Sequence, residues 1–276
     1  MPVTGGFPGR HERLAALAGL FIMSLVLALA ARPADSHAAE CTRLLVSGNP
    51  EYPPYLWRDP AAPDRLIGAN AELMALLSEK IGMPVEVRYT GSWARVQEEM
   101  RAGRIDLIAG AFLTTPRLGY MDYFIPLIAR TRSVVITPEG SDLNYRQWPD
   151  LVGHAGVTVI NNSFGEAFDR YAKENLDLQE VGKLENALQM VAGGRAEFVI
   201  YEDAPARAFA ARAGITGLVE APDAISNENL YLTFSHRSPC NTGEMRGRIA
   251  QAMQELTGSE VMGKLIEQAI ESWRSQ

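Results

Sequence analysis

From Arg43 onward the apolar positions come in short blocks, and the spacing inside the blocks changes along the chain. Residues 43–48 (RLLVSG) read as a short strand running into turn residues. Residues 51–60 (EYPPYLWRDP), dense in proline and aromatic side chains, read as a loop. From Ala69, Leu73, Leu77 and Ile81 recur every fourth position and Gly82 can close the turn, so the spacing predicts a helix. Val85, Val87 and Tyr89 alternate as on a strand. Ser92 can cap a second helix with Trp93, Val96 and Met100 on one face, and Gly103 ends it. Residues 105–112 (IDLIAGAF) then read as a buried strand. This order is that of a parallel α/β sheet.

After a strand at 134–137 and a polar stretch, the alternation restarts. Residues 157–160 (VTVI) predict a strand, and Asn162 or Ser163 can cap a helix bearing Phe164, Ala167, Phe168 and Tyr171. A helix with Leu184, Leu188 and Val191 stops at Gly193 and Gly194, followed by a buried strand at 197–202 (EFVIYE). One more strand at 229–234 (NLYLTF) precedes two helices, the first carrying Met245, Ile249 and Met253, the second Val261, Leu265, Ile266 and Trp273. Two α/β units follow one another without an internal sequence repeat.

One block breaks the pattern. Residues 14–31 are apolar, follow Arg10, His11 and Arg13, and lead to small residues at Ser36 and Ala38. That is the order of a secretory signal peptide, with cleavage expected after Ala38. An uncleaved anchor is the alternative for so long a run; Pro33 and the small-residue tail favour cleavage. Glu40 before Cys41 disfavours a lipid-modified start. Export puts Cys41 and Cys240 in an oxidising compartment, which predicts a disulfide rather than two free thiols. The bond brings the end of the chain back to its beginning. The chain then crosses between two lobes twice, near 134–137 and 229–233, which makes a hinge and a cleft. The boundaries expected are 39–133 and 231–276 for the first lobe and 134–230 for the second.

Charge and composition narrow the function. A formal net charge of −7 argues against a nucleic-acid partner. The sequence has no metal-ligand spacing, no nucleophile–base arrangement and no phosphate loop. The chemistry lies instead where strands end at the cleft. Thr114, Thr115, Pro116 and Arg117 follow the 105–112 strand. A helix start supplies free N–H groups and Arg117 a planar fork, a combination suited to a carboxylate; a capped helix with a solvated arginine is the plainer alternative. Ser163 can add donors from the second lobe or act only as a cap. Glu202 and Asp203 can receive an ammonium group or only begin the next helix. Tyr52, Tyr55 and Trp93 can wall a site or belong to the core.

Taken together, YPPYLWRD, GANAELMALLSEKIG, SWARVQEEMRAGRIDLIAG, TTPR, MDYFIPL, SFGEAF and GRAEFVIYEDAP, in this order and spacing, resemble the extracellular solute-binding proteins, family 3, of ABC-type amino-acid uptake systems. The resemblance implies an α/β, two-lobe periplasmic binding protein fold of type II, each lobe a mostly parallel sheet flanked by helices, with two hinge crossings. It places Arg117, at the end of a T-x-x-R pattern beginning at Thr114, on a ligand carboxylate. Ser163 and Phe164 would add donors, and Glu202, with Asp203 one step off, would take an ammonium group. Tyr52, Tyr55 and Trp93 match aromatic positions around the ligand. The chain departs from the pattern at Glu202 (commonly Asp), Phe112 (commonly Ser or Thr), Phe164 (often Thr), and Phe124 and Leu127 in YFIPL, all of which would make the pocket more apolar. The resemblance implies a monomeric periplasmic binding protein that needs no cofactor or metal. It would carry a small carboxylated or zwitterionic solute, an amino acid or derivative, to an ABC transporter permease. Two rivals share the fold: a cyclohexadienyl- or arogenate-dehydratase-like enzyme with Glu202 as an acid, and a ligand-sensing partner of a membrane receptor.

Overall fold

The computed structural model describes residues 1–5, 41–257 and 260–276. The expected leader, residues 1–38, lies outside the described residues except for its first five, so neither its cleavage nor its anchoring is visible. No helix among the described residues is long and apolar enough to cross a membrane. The chain divides into two units, Met1–Ala39 and Glu40–Gln276, and the elements below belong to the second.

The first strand, β1 (Leu44–Ser47), leads to three short antiparallel strands, β2 (Glu51–Tyr52), β3 (Leu56–Arg58) and β4 (Leu66–Ile67). The loop expected over 51–60 is therefore partly sheet. Its strands are too short to show alternation, and they form because Leu56, Trp57 and Leu66 bury their side chains. Helix α1 (Ala69–Ile81) buries Leu73, Leu77 and Ile81 and ends at Gly82 in the left-handed region. After β5 (Val85–Val87), Ser92 accepts a hydrogen bond from the Arg95 N–H and starts α2 (Trp93–Ala102), which buries Trp93, Val96 and Met100. Next come β6 (Leu107–Phe112), the single turn α3 (Thr115–Leu118) and β7 (Met121–Tyr123). β1 lies between β5 and β6 and pairs with both in parallel.

A long strand, β8 (Ala129–Pro138), leads into the second set: β9 (Ala155–Val159), α4 (Glu166–Asn175), β10 (Asp177–Val181), α5 (Leu184–Ala192), β11 (Phe198–Glu202) and α6 (Asp203–Arg212). β9 pairs in parallel with β10 and β11. The chain returns along β12 (Leu218–Ser235) and closes with α7 (Gly243–Thr257) and α8 (Val261–Arg274). One sheet runs β10-β9-β11-β8-β12-β6-β1-β5, with β7 on β12. The antiparallel pair β8–β12 stands at its centre and joins a parallel set on each side. α7 and α8 pack on α1, and Trp273 meets Trp57 edge-on at 5.4 Å. A disulfide joins Cys41 to Cys240, so the end of the chain rests on the side where it began.

Candidate functional site

The carboxyl ends of the parallel strands on both sides point toward a small cavity of about 20 Å³. Its lining comes from every part of the fold: Asn49 after β1, Tyr52 on β2, Trp93 opening α2, Gly110, Ala111 and Phe112 closing β6, Arg117 on α3, Asn162 after β9, Glu202 ending β11 and Leu230 on β12. Gly110, at φ 117°, makes the approach of β6 possible, since a Cβ there would lie 2.9 Å from Asn70 Nδ2 and 3.0 Å from Leu230. The register of β6 against β12 slips at the same place.

Arg117 is 5% exposed. Its Nη1 donates to the Phe112 carbonyl at 3.1 Å and its Nη2 to the Asn161 carbonyl at 3.4 Å. The guanidinium sits 5.4 Å from the centre of the Trp93 ring. It makes no ion pair among the described residues. A desolvated cation without a paired anion is costly.

Glu202, 2% exposed, accepts from Asn162 Nδ2 at 3.5 Å. Burial pushes its carboxyl up to about 7, opposed by hydrogen bonds and by the positive charge of Arg117, with Asp203 adding a smaller repulsion. Asp203 does other work. It accepts from the Ala204 N–H at 2.6 Å and pairs with Arg207 at 3.2 Å and Arg132 at 3.9 Å. Of the two acids at the end of β11, only Glu202 lines the cavity.

The second lobe differs from expectation at its helix start. α4 begins at Glu166 with Gly165 as its cap, not at Asn162 or Ser163. Asn161, at φ 60°, turns the chain out of β9. Asp169 then gathers the donors expected for a ligand: the Ser163 hydroxyl at 2.5 Å and the Phe164 N–H at 2.8 Å. Gly165 lies at φ 95°, where an L side chain is strained, and a Cβ there would meet the Glu228 carboxylate unless that side chain moved. Phe164 packs on Phe168 in a core with Tyr145, Phe198 and Ile200, and Phe124 packs on Phe234, so neither makes the cavity more apolar. Thr114 lines an outer hollow beside Gln97, Arg101, Ser163 and Lys173, with Arg117 shared between the hollow and the cavity. Tyr55 stacks at 5.3 Å on Tyr52 without lining the cavity. Asn49, Ala111 and Leu230 line the cavity without having been singled out from sequence, and Asn162 was expected there only as a helix cap. The signal for Asn49 was available, since it lies two residues past the end of β1.

Tyr52 Oη is buried and has only the Thr131 hydroxyl beside it, which itself donates to the Glu228 carbonyl at 3.2 Å and can accept from the phenol. One donor in the lining has no partner: Trp93 Nε1 is buried and unbonded. Leaving such a group unpaired costs about 1–3 kcal/mol. Around the cavity the two sides of the sheet touch directly. Gln97 Nε2 donates to the Asn161 carbonyl at 3.1 Å, Thr115 donates from its N–H and its hydroxyl to Glu166 at 3.1 and 2.7 Å, and Asn49 Nδ2 donates to Tyr201 Oη at 3.0 Å.

Two α/β lobes on a shared antiparallel pair, with a charged cavity at the strand ends, define a protein built to bind a small molecule between lobes. The match at family level is specific. Residues 44–272 fit the bacterial extracellular solute-binding proteins, family 3, and the chain belongs to that family. None of the curated proteins matches the chain. Among solved structures, a P235GK mutant of the arginine-binding protein of T. maritima is similar at a TM-score of 0.68, with 20% identity over 85% of this chain and 96% of that one. An amino acid ABC transporter substrate-binding protein of Streptococcus pneumoniae, bound to L-arginine, reaches 0.69 with 20% identity, covering 84% and 96%. A histidine kinase sensor domain with similarity to periplasmic binding proteins reaches 0.70 with 21% identity, covering 84% and 95%. At these identities the likeness shows the fold: the two-lobe, type II periplasmic binding architecture.

Proposed function

We propose that this protein is exported to the periplasm, where it closes its two lobes on a small carboxylated or zwitterionic solute and delivers it to an ABC permease. Amino acids and their derivatives are the first class to test. The observation that carries the reading is Arg117, buried between the lobes with no ion pair among the described residues and bonded to Phe112 on one side and Asn161 on the other. A ligand carboxylate supplies the missing anion, and closure follows because one ligand then touches both lobes. A micromolar dissociation constant corresponds to about 8 kcal/mol, within reach of a few buried charge-assisted hydrogen bonds. The binding proteins of the arginine-bound relatives support the class of ligand, and the extracellular character of the family supports export.

The test is a thermal-shift panel of amino acids, dicarboxylates and polyamines on the exported protein. Carboxylated solutes should raise the melting temperature by mass action. Arg117→Met should abolish that shift while leaving the melting temperature of the free protein unchanged or higher, because an unpaired buried charge is removed. A large loss of stability with affinity retained would make Arg117 a structural residue and end the proposal. Glu202 supports a second reading, an enzyme of the dehydratase-like kind: it is a buried carboxyl held near 7, where a general acid works at neutral pH. Consumption of prephenate or arogenate, lost in Glu202→Gln, would replace binding by catalysis.

A further inference from the structure

We propose that Glu51 and Glu166 govern how firmly this protein closes, without touching the solute: each reaches from one lobe to cap the start of a helix in the other. The inference rests on lobe closure as the mode of binding and names the residues that bias it.

The two contacts mirror each other. Glu166, on the first turn of α4, accepts through one oxygen from the Thr115 N–H at 3.1 Å and the Thr115 hydroxyl at 2.7 Å, where α3 begins. Glu51, on β2, accepts from the Leu184 N–H at 2.9 Å, where α5 begins. The first N–H groups of a helix have no partner within it. Neither helix supplies one from its own flank, since the Thr114 and Lys183 side chains make no capping hydrogen bond. Each start is therefore completed from the opposite side of the sheet. The segment around Glu51 is held a second time by Tyr201 on β11, whose hydroxyl donates to the Glu51 carbonyl at 3.4 Å and accepts from Asn49 Nδ2 at 3.0 Å.

None of Glu51, Thr115, Glu166 and Leu184 lines the cavity. Both caps join protein groups to protein groups, so they favour the closed arrangement whether or not a solute lies between the lobes. Their surroundings differ. Thr115 and Glu166 are exposed, and the Thr115 hydroxyl and N–H hold the Glu166 carboxyl below its usual range. Glu51 is half-buried; burial pushes its carboxyl up, opposed by the Leu184 N–H and by Lys183, with Glu185 adding a smaller repulsion. Opening the lobes breaks both caps together. Weakening either one shifts the lobes toward the open arrangement, and a solute held between them leaves sooner.

This arrangement differs from two local caps in one measurable way. A local cap protects only its own N–H from exchange, whereas two caps on one lobe equilibrium protect each other's. Amide hydrogen exchange followed by NMR on the exported protein, with no solute added, tests it. The Thr115 and Leu184 N–H groups should be protected in the parent. Glu166→Ala should speed exchange at Leu184, and Glu51→Ala should speed it at Thr115, each on the order of two- to fivefold. Exchange along the central β8–β12 pair and the melting temperature should stay close to the parent's. Thr115→Val, which removes the hydroxyl donor from the other partner, should also speed exchange at Leu184. Glu166→Gln, which keeps an acceptor for Thr115, should restore most of the protection there. Unprotected Thr115 and Leu184 in the parent, or unchanged exchange at the far cap in both alanine variants, overturns the inference. The binding reading is decided separately by the thermal-shift panel, so either result can fail while the other stands.

Discussion

At the scale of single residues, the site is a balance between two buried charges that do not pair. Arg117 and Glu202 line the same cavity, yet no ion pair joins them, and the influence of Arg117 on Glu202 is outweighed by burial. The consequence for stability has a definite sign. Glu202 has a folded pKa of about 7 against 4.5 for the free side chain. Below about 4.5 the group is protonated in both states and contributes no difference. As pH rises from there toward 7, the unfolded chain ionises while the folded one holds its proton, and stability falls. Above 7 the full cost is present, on the order of 3 kcal/mol. Glu202→Gln keeps an acceptor for Asn162 and removes the titration. Its melting temperature should match the parent's near pH 4.5 and exceed it increasingly up to pH 7–8. A difference that does not change with pH, or a parent more stable at pH 8, would show that Glu202 is ionised and held by Arg117.

At the scale of elements, the turn between β9 and α4 decides what the second lobe offers the cavity. Asp169 draws in the Ser163 hydroxyl and the Phe164 N–H, and Glu228 lies over Gly165. The helix therefore starts two or three residues later than the caps suggest, and Asn162 reaches the cavity in place of Ser163. Gly165→Ala puts a Cβ against the Glu228 carboxylate at a positive φ, and should cost about 1–3 kcal/mol in denaturant unfolding. Adding Glu228→Ala should recover the steric share and leave the strain. If the single change is neutral, Glu228 swings away freely and the turn is not fixed by this contact. The same region shows why part of the fold was hidden in the sequence. α1 and α2 are legible because a four-residue repeat, a capping serine and closing glycines agree. β10 is an edge strand with Asp177, Gln179 and Glu180 largely solvated, so no apolar period marks it. The first half of β12 is bulged at Glu220–Ala224 and Ala224–Ser226, which breaks alternation. Arg117 and Glu202 are legible because they follow apolar strands, whereas the role of Ser163 turned on Asp169, a carboxylate six residues further along that local spacing does not single out.

At the scale of the molecule, the disulfide between Cys41 and Cys240 is the covalent counterpart of the topology. β1 opens the first parallel set, and the chain leaves that side along β8 and returns along β12 before α7 and α8 cover α1. The first lobe is thus assembled from distant stretches, and the bond spans 199 residues. The pairing is readable from sequence because an exported chain with two cysteines has a single intramolecular partner choice. In a chain-entropy estimate, closing a loop of that length removes about 5 kcal/mol of freedom from the unfolded state, with measured values for native bonds commonly 2–5 kcal/mol. The bond also lies at the amino end of β1, whereas the cavity lies at the carboxyl ends of the strands. Stability and binding should therefore separate. The double variant Cys41→Ser, Cys240→Ser should lose about 2–5 kcal/mol in denaturant unfolding and leave the affinity for whichever solute stabilises the parent nearly unchanged below its melting temperature. A collapse of affinity at intact stability would mean that the tie between the chain's ends also sets the geometry of Arg117 and Trp93, and that lobe closure depends on the covalent frame of the first lobe as well as on the hinge.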